Sequence, residues 1–244
     1  MEYNKINYNE YASSYSALRS ASSRVIEHIV DRLGESYVSK VLEIGCGTAD
    51  YLYVLKENLG FEAYGFDKST EMLKEGMLKH LGLFLVNADA NERFPFDDSM
   101  FDFTFSINVI HYIDDLDQYF KEAYRVMKPE GTMLTIIANI DKMKETVSKY
   151  FPEFEGNKKT SSIFVEEVID CMKNSGFDDI RTTKTDYTYN MRVQDMEPIK
   201  KKVFAWVRLL SEGCFEKGIE QMTEDINNGK GTGSENYIYI WGHK

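Results

Sequence analysis

Short apolar runs alternate with amphipathic stretches through the first 140 residues. Val41-Leu42-Glu43-Ile44 reads as a buried strand closed by Gly45-Cys46-Gly47, and residues 50–59 follow with Leu52 and Leu55 on one helical face. Residues 63–66, 83–86 and 101–105 are further apolar runs of strand length. Ser69 is placed to cap a helix that carries Met72, Leu73, Met77 and His80. Asp114 opens a helix bearing Leu116, Phe120, Ala123 and Met127, and Pro129-Glu130-Gly131 turns the chain into a fifth strand over 132–138. Repeated strand and helix predict an α/β fold, an open parallel sheet with helices on both faces.

The second half departs from this alternation. Residues 141–161 are polar, with Tyr150, Phe151 and Phe154 embedded. Phe164, Val168 and Met172 mark a helix that stops at Asn174-Ser175-Gly176. Residues 179–189 alternate as a strand does, 198–210 are amphipathic around Trp206, 229–233 form a flexible turn, and 237–241 read as a last strand.

Charge and cysteine usage narrow the function classes. The chain has 244 residues and a formal net charge of −11. An acidic surface argues against nucleic acid or an anionic membrane as partner. No apolar run approaches the length of a membrane span, and the polar N-terminus lacks a secretory apolar region, so the cytoplasm is the expected compartment. Cys46, Cys171 and Cys214 are too scattered for a disulfide framework or a zinc site, and no metal is expected.

The candidate chemistry lies at Glu43-Ile44-Gly45-Cys46-Gly47-Thr48-Ala49. A strand, a glycine turn and a helix N-terminus make a nucleotide-type crevice. The dinucleotide fingerprint asks for a third glycine where Asp50 stands, and a pyrophosphate would face both Glu43 and Asp50. S-adenosylmethionine, with a sulfonium, an α-ammonium and no phosphate, suits that acidic turn better. Asp67 follows Gly47 at the spacing at which a carboxylate accepts from ribose hydroxyls; its alternative role is to cap the next helix. Asp89 can accept from an adenine amino group, the Ala90 amide can donate to the ring, and Met72 can cover the adenine face or be core.

With these residues in place, the chain resembles the class I S-adenosylmethionine-dependent methyltransferases of the small-molecule, type-11-like kind. Val41 to Thr48 is similar to the family's first motif. Phe66-Asp67-Lys68-Ser69, Asp89-Ala90, Phe94-Pro95-Phe96-Asp97, Phe101-Asp102 and Lys128-Pro129-Glu130-Gly131-Thr132 are similar to its later blocks. Ala49 departs from the family, which usually has glycine there; tight packing is expected rather than loss of the site. The resemblance implies a Rossmann-like sheet of seven mostly parallel strands, with residues 237–241 as its antiparallel last strand. It implies one domain over 1–244, with an N-terminal lid at 1–30, a cofactor core at 31–140 and cap insertions at 141–162 and 190–233. Tyr8-Asn9-Glu10-Tyr11-Ala12-Ser13-Ser14-Tyr15 is similar to the segment that folds over the cofactor in relatives, with Asn9 in place of the usual Asp. Tyr15 and Arg19 are then candidates for the methionine end, Arg19 as partner of its carboxylate; an ordinary amphipathic helix is the alternative. Cofactor-binding candidates are therefore Tyr15, Arg19, Glu43, Gly45, Cys46, Gly47, Asp67, Lys68, Met72, Asp89, Ala90, Ser106, Asn108 and His111.

In this fold the segment Ser106 to Tyr112 passes under the methionine end. His111, with an unperturbed pKa of about 6.5, is the candidate general base, and Tyr15 the second catalytic candidate; a packing or cofactor contact is the alternative for His111. The Asn/Asp-Pro-Pro-aromatic run of nucleic-acid amino-methylating enzymes is replaced here by Ser106-Ile107-Asn108-Val109. A small organic acceptor with a nitrogen or oxygen nucleophile is expected, enclosed by aromatic residues of the lid and the two insertions and bound by a monomer or homodimer. Two other readings stay open, a nicotinamide-dependent oxidoreductase and a non-catalytic S-adenosylmethionine-binding protein.

Overall fold

The computed structural model describes residues 7–34, 38–154 and 162–244. Residues 1–6 of the expected lid and 155–161 of the first expected insertion lie outside them. A 3-10 turn over Tyr8–Tyr11 leads into α1 (Ala12–Leu18) and α2 (Ser23–Leu33). Then come β1 (Lys40–Ile44), α3 (Asp50–Leu59), β2 (Glu62–Asp67), α4 (Thr70–Lys79), β3 (Leu83–Asn87), β4 (Phe101–Ile107), α5 (Leu116–Val126) and β5 (Met127–Ala138). The second half contains α6 (Ile140–Val147), α7 (Ser162–Asn174), β6 (Asp178–Lys184), β7 (Thr188–Asn190), α8 (Glu197–Lys200), α9 (Glu212–Asn227), β8 (Thr232–Ser234) and β9 (Tyr237–His243).

The main sheet has seven strands in the order β3-β2-β1-β4-β5-β9-β6. β1 pairs in parallel with β2 and β4, and β9 runs antiparallel to β5 and β6. The seven-stranded, mostly parallel sheet with its antiparallel last strand is thus the one the resemblance implied. Strand order reverses between β1 and β4, which opens a crevice at the carboxyl ends of these strands. One face buries Leu42, Ile44 and Phe66 against Phe120 of α5 and Val168 of α7. The other buries Val41, Phe103 and Trp241 against Val25 and Ile29 of α2 and Leu52 of α3. α2 is therefore packed on the sheet, and a lid running to residue 30 is too long. The apolar stripe of α2 faces the core, and among the described residues of this stretch the chain reaches the crevice only up to Ser22, the cap of α2.

Side-chain caps fix several helix starts. Ser69 Oγ accepts from Met72 N, as expected, but the cap of α5 is Asp115, not Asp114, and accepts from Gln118 N at 3.0 Å. β5 starts at Met127, inside the expected helix, where it pairs with Phe101 of β4; Glu130 in a left-handed conformation (φ 64°) lies in the bulge that follows, and the strand rejoins β4 at Thr132. The expected strand over 179–189 is divided: β6 belongs to the main sheet, whereas β7 pairs with β8 in a separate ribbon that also takes up part of the expected turn at 229–233. Residues 198–210 are not one helix. Pro198 starts the short α8, Lys202 at φ 50° stops it, and Ala205–Leu209 form a 3-10 turn. α9 was missed, although Phe215, Ile219, Met222 and Ile226 recur at helical spacing behind a Ser211 cap. α6, α8, α9 and the 3-10 turn close a cap around Phe151, Phe154, Trp206 and Met222. A side-chain carbon at Gly218 of α9 would come within 2.3 Å of the Phe151 ring, so only glycine permits this approach.

Candidate cofactor and acceptor site

A cavity of about 570 Å³ lies between the strand ends, the N-terminal segment and the cap. Its floor is the turn after β1. Gly45 and Gly47 both have positive φ (66° and 53°), and a side chain at Gly45 would strike Val109 at 2.6 Å. At Gly47 a Cβ would meet nothing within 4 Å, so the turn presents open backbone to the cavity. Ala49, where the family usually has glycine, is also left-handed (φ 56°) and fully buried. The departure at Ala49 is thus one of backbone conformation as well as packing.

Asp67 stands at the end of β2. Its Oδ2 accepts from Gly47 N at 2.9 Å and its Oδ1 from Ser69 N at 2.8 Å. Each carboxylate oxygen keeps a second lone pair, which suits paired hydroxyls of a ribose. Burial pushes the Asp67 carboxyl above its usual range, against the pull of those two N–H donors. Glu43 is 3 % exposed and accepts from Leu52 N at 3.2 Å. Burial holds its carboxyl well above the usual range, with Asp50 and Asp67 adding repulsion. A cation placed there would restore the charge; a pyrophosphate would raise the repulsion. Asp89 accepts from Asn91 N and Nδ2 through Oδ1, both at 3.0 Å, and sits beside Ala90 on the cavity wall. These residues fit a nucleoside with an ammonium group and no phosphate.

Tyr15, Arg19, Cys46, Lys68, Met72, Asn108 and His111 also border the cavity. Burial raises the Cys46 thiol well above its ordinary pKa, which leaves it a packing group. Met72 is 2 % exposed beneath Tyr11 and Ala12, so it is core of the lid as well as wall of the cavity. Asn108 (φ 57°) uses its Oδ1 to accept from Ala138 N at 2.8 Å, tying the ends of β4 and β5 together. The guanidinium carbon of Arg19 lies 4.9 Å from the Phe204 ring centre and 5.8 Å from that of Tyr15. Ser106 is the exception. It is fully buried in β4, beside Tyr119 and off the cavity, because the strand's two-residue period sends Ile107 to the cavity instead.

The aromatic walls are only partly those expected. Phe204 and Trp206 line the cavity, whereas Tyr150, Phe151 and Phe154 are buried in the cap's own core. Sequence reasoning missed Tyr51, Tyr189 and Tyr237, which reach the cavity from α3, β7 and β9. Distance along the chain hid Tyr189 and Tyr237, whereas Tyr51 lies four residues after Gly47 on the face of α3 turned to the cavity. The N-terminal segment is fastened across the opening. The Tyr8 and Tyr112 hydroxyls are hydrogen-bonded, and burial raises Tyr8 to about 12. Asn9 Oδ1 accepts from Ser69 Oγ at 2.7 Å and from Glu71 N at 3.2 Å, and Lys79 Nζ donates to Ser16 O at 2.8 Å. Among the described residues no His, Cys, Asp or Glu group is placed to hold a metal, and no helix is long and apolar enough to cross a membrane.

A doubly wound sheet with an acidic glycine turn at its switch point defines a nucleoside-binding α/β protein. Comparison narrows that class: residues 42–135 match the family described as methyltransferase domain, a likeness that supports the class I S-adenosylmethionine-dependent kind. A demethylmenaquinone methyltransferase of Staphylococcus epidermidis is 32 % identical over 133 residues, covering 51 % of this chain and 55 % of that protein. The chain thus spans about half the length of the curated relatives it matches. Phosphoethanolamine N-methyltransferase 2 of Haemonchus contortus, solved with S-adenosyl-L-methionine, superposes with a TM-score of 0.62 at 20 % identity, over 100 % of this chain and 60 % of that one. The [4+2]-cyclase SpnF superposes with a TM-score of 0.57 at 14 % identity, over 91 % and 80 %. At these identities the structural likeness is one of fold.

Proposed function

We propose that the protein transfers a methyl group from S-adenosylmethionine to a nitrogen or oxygen of a small organic acceptor. The observation that carries this reading is the convergence of Glu43, Asp67 and Asp89 on one glycine-floored cavity. Asp67 holds the ribose hydroxyls, Glu43 faces the ammonium, Asp89 and Ala90 border the adenine, and Arg19 with Tyr15 meets the carboxylate. When bound, the cofactor supplies an electrophilic methyl on sulfur: the acceptor's lone pair forms the new bond and the C–S electron pair stays on the sulfur. His111 takes the acceptor's proton. It sits on the turn after β4 and is 9 % exposed, at the border between the strand ends and the cap. The other residues contribute alignment and exclusion of water, which supply much of the rate in a displacement of this kind.

The nicotinamide reading is disfavoured by the three carboxylates, which repel a pyrophosphate. The test is ligand-dependent stability. S-adenosylhomocysteine is expected to raise the melting temperature by mass action and NADH to leave it unchanged; a shift with NADH alone refutes the proposal. Formation of S-adenosylhomocysteine with a panel of metabolites separates an enzyme from a protein that only binds the cofactor.

A further inference from the structure

The two sides of the cavity differ in chemistry. The strand-end side holds Glu43, Asp67, Lys68 and Asp89. The cap side is walled by Ile140 and Met143 of α6, by Met191, by Val203 and Trp206, and by Met222 of α9. Its charged groups are already engaged. Asp195 accepts from Arg192 three times, from the backbone N–H at 2.8 Å and from the guanidinium at 3.0 and 3.3 Å. Glu235 faces Arg24 at 3.9 Å. Among the described residues the lysine and arginine of the cavity are Lys68, next to Asp67, and Arg19, which lies against Phe204 where the two sides meet.

Each acceptor class meets this wall differently. A phosphorylated or carboxylated acceptor requires a cation on the cap side, and the one nearest it among the described lining residues, Arg19, is assigned to the cofactor's carboxylate. An ammonium acceptor requires an unpaired carboxylate or an open aromatic face. Asp195 is spent on Arg192, the Phe204 ring is taken on one side by Arg19 and runs parallel to Trp206 (interplanar angle 19°), and the Tyr189 ring is stacked on Tyr187 (19°). Trp206 is itself backed by Phe151 and Phe154 at 5.4 and 5.2 Å between ring centres. A neutral apolar acceptor meets no such penalty. Three methionines supply adaptable, polarisable contacts suited to the edge of an aromatic ring.

We propose that the cap side of the cavity takes a neutral, ring-bearing, largely apolar acceptor, with its hydroxyl or amino group turned toward His111. This rests on the cofactor reading above. The test is calorimetric titration of the full chain, with and without saturating S-adenosylhomocysteine, using three probes: 2-naphthol, phosphoethanolamine and histamine. 2-Naphthol is expected to bind at least tenfold tighter than either charged probe. Met191→Lys and Met143→Glu, on separate elements of the wall, are each expected to weaken naphthol binding tenfold or more with the S-adenosylhomocysteine affinity unchanged. Tighter binding of either charged probe, no binding of 2-naphthol, or naphthol binding that survives both substitutions overturns the proposal. Failure of S-adenosylhomocysteine to bind overturns the cofactor reading instead, and the ranking of the three probes without it still decides the acceptor class.

Discussion

Asp67→Asn separates two roles that one carboxylate combines. In the structure both oxygens accept backbone N–H groups, from Gly47 at 2.9 Å and from Ser69 at 2.8 Å. Hydrogen bonds to a charged acceptor contribute about 1.5–3 kcal/mol each, and neutral ones about 0.5–1.5 kcal/mol. The amide keeps one neutral bond and turns its NH2 toward the other donor. Part of the loss is offset, because burial penalises the charged form of Asp67. The expected net destabilisation is about 2–3 kcal/mol, a fall of roughly 4–12 °C in Tm for a chain of this size. If the remaining lone pairs accept from a ribose, S-adenosylhomocysteine affinity should fall by roughly tenfold to a hundredfold as well. Thermal unfolding and calorimetry on the same variant read the two effects independently. A lowered Tm with an unchanged Kd would show that Asp67 only staples the glycine turn to α4, and the nucleoside assignment would fail. Asp67→Ala is a harsher probe than its sequence suggests, since it strips both N–H groups of their acceptor.

Glu43→Gln should change the pH profile. The carboxyl of Glu43 is raised by burial, so its contribution to stability is present at low pH and is lost as pH rises through the raised value. The variant should therefore lose less stability than the parent as pH rises above the ordinary carboxylate range, while binding S-adenosylhomocysteine more weakly; an unchanged slope in thermal scans refutes the assignment. Ala49→Gly should leave stability within about 1 kcal/mol, because relief of a left-handed alanine is opposed by a more flexible unfolded chain; denaturant titration checks this, and a loss above about 2 kcal/mol would mean that the Ala49 methyl packs rather than strains. Asn9→Ala removes the acceptor for Ser69 Oγ and Glu71 N, so hydrogen exchange across residues 7–18 should quicken, most of all without S-adenosylhomocysteine. Equal protection in parent and variant would show that Tyr11 and Met72 hold the segment unaided.

What the sequence made legible follows from range. The turn after β1, Asp67 and the capping Ser69 are local motifs in which strand, glycine and helix stand side by side, and all appear where expected. Ser106 was misjudged because a strand residue's facing depends on register, and one step in a two-residue period reverses it. Ala49 looked like a question of size because a sequence does not display φ. The cap was the least legible part. Tyr150, Phe151 and Phe154 and the wall residues Phe204 and Trp206 are equally aromatic on paper, and only the packing of α9 over Phe151 decides which rings are interior. Tyr189 and Tyr237 reach the cavity through pairings between distant segments, which no local pattern encodes.

The two tryptophans of the chain sit in different compartments of the molecule. Trp241 is 3 % exposed in β9 and stacks on Phe103, 5.9 Å between ring centres, in the interior of the sheet. Trp206 stands in the cap with one edge on the cavity. Intrinsic fluorescence is thus the sum of one lamp that dims when the sheet melts and another that responds to whatever occupies the acceptor side. With Trp241→Phe the second would shine alone, and the protein would report its own occupancy without a label.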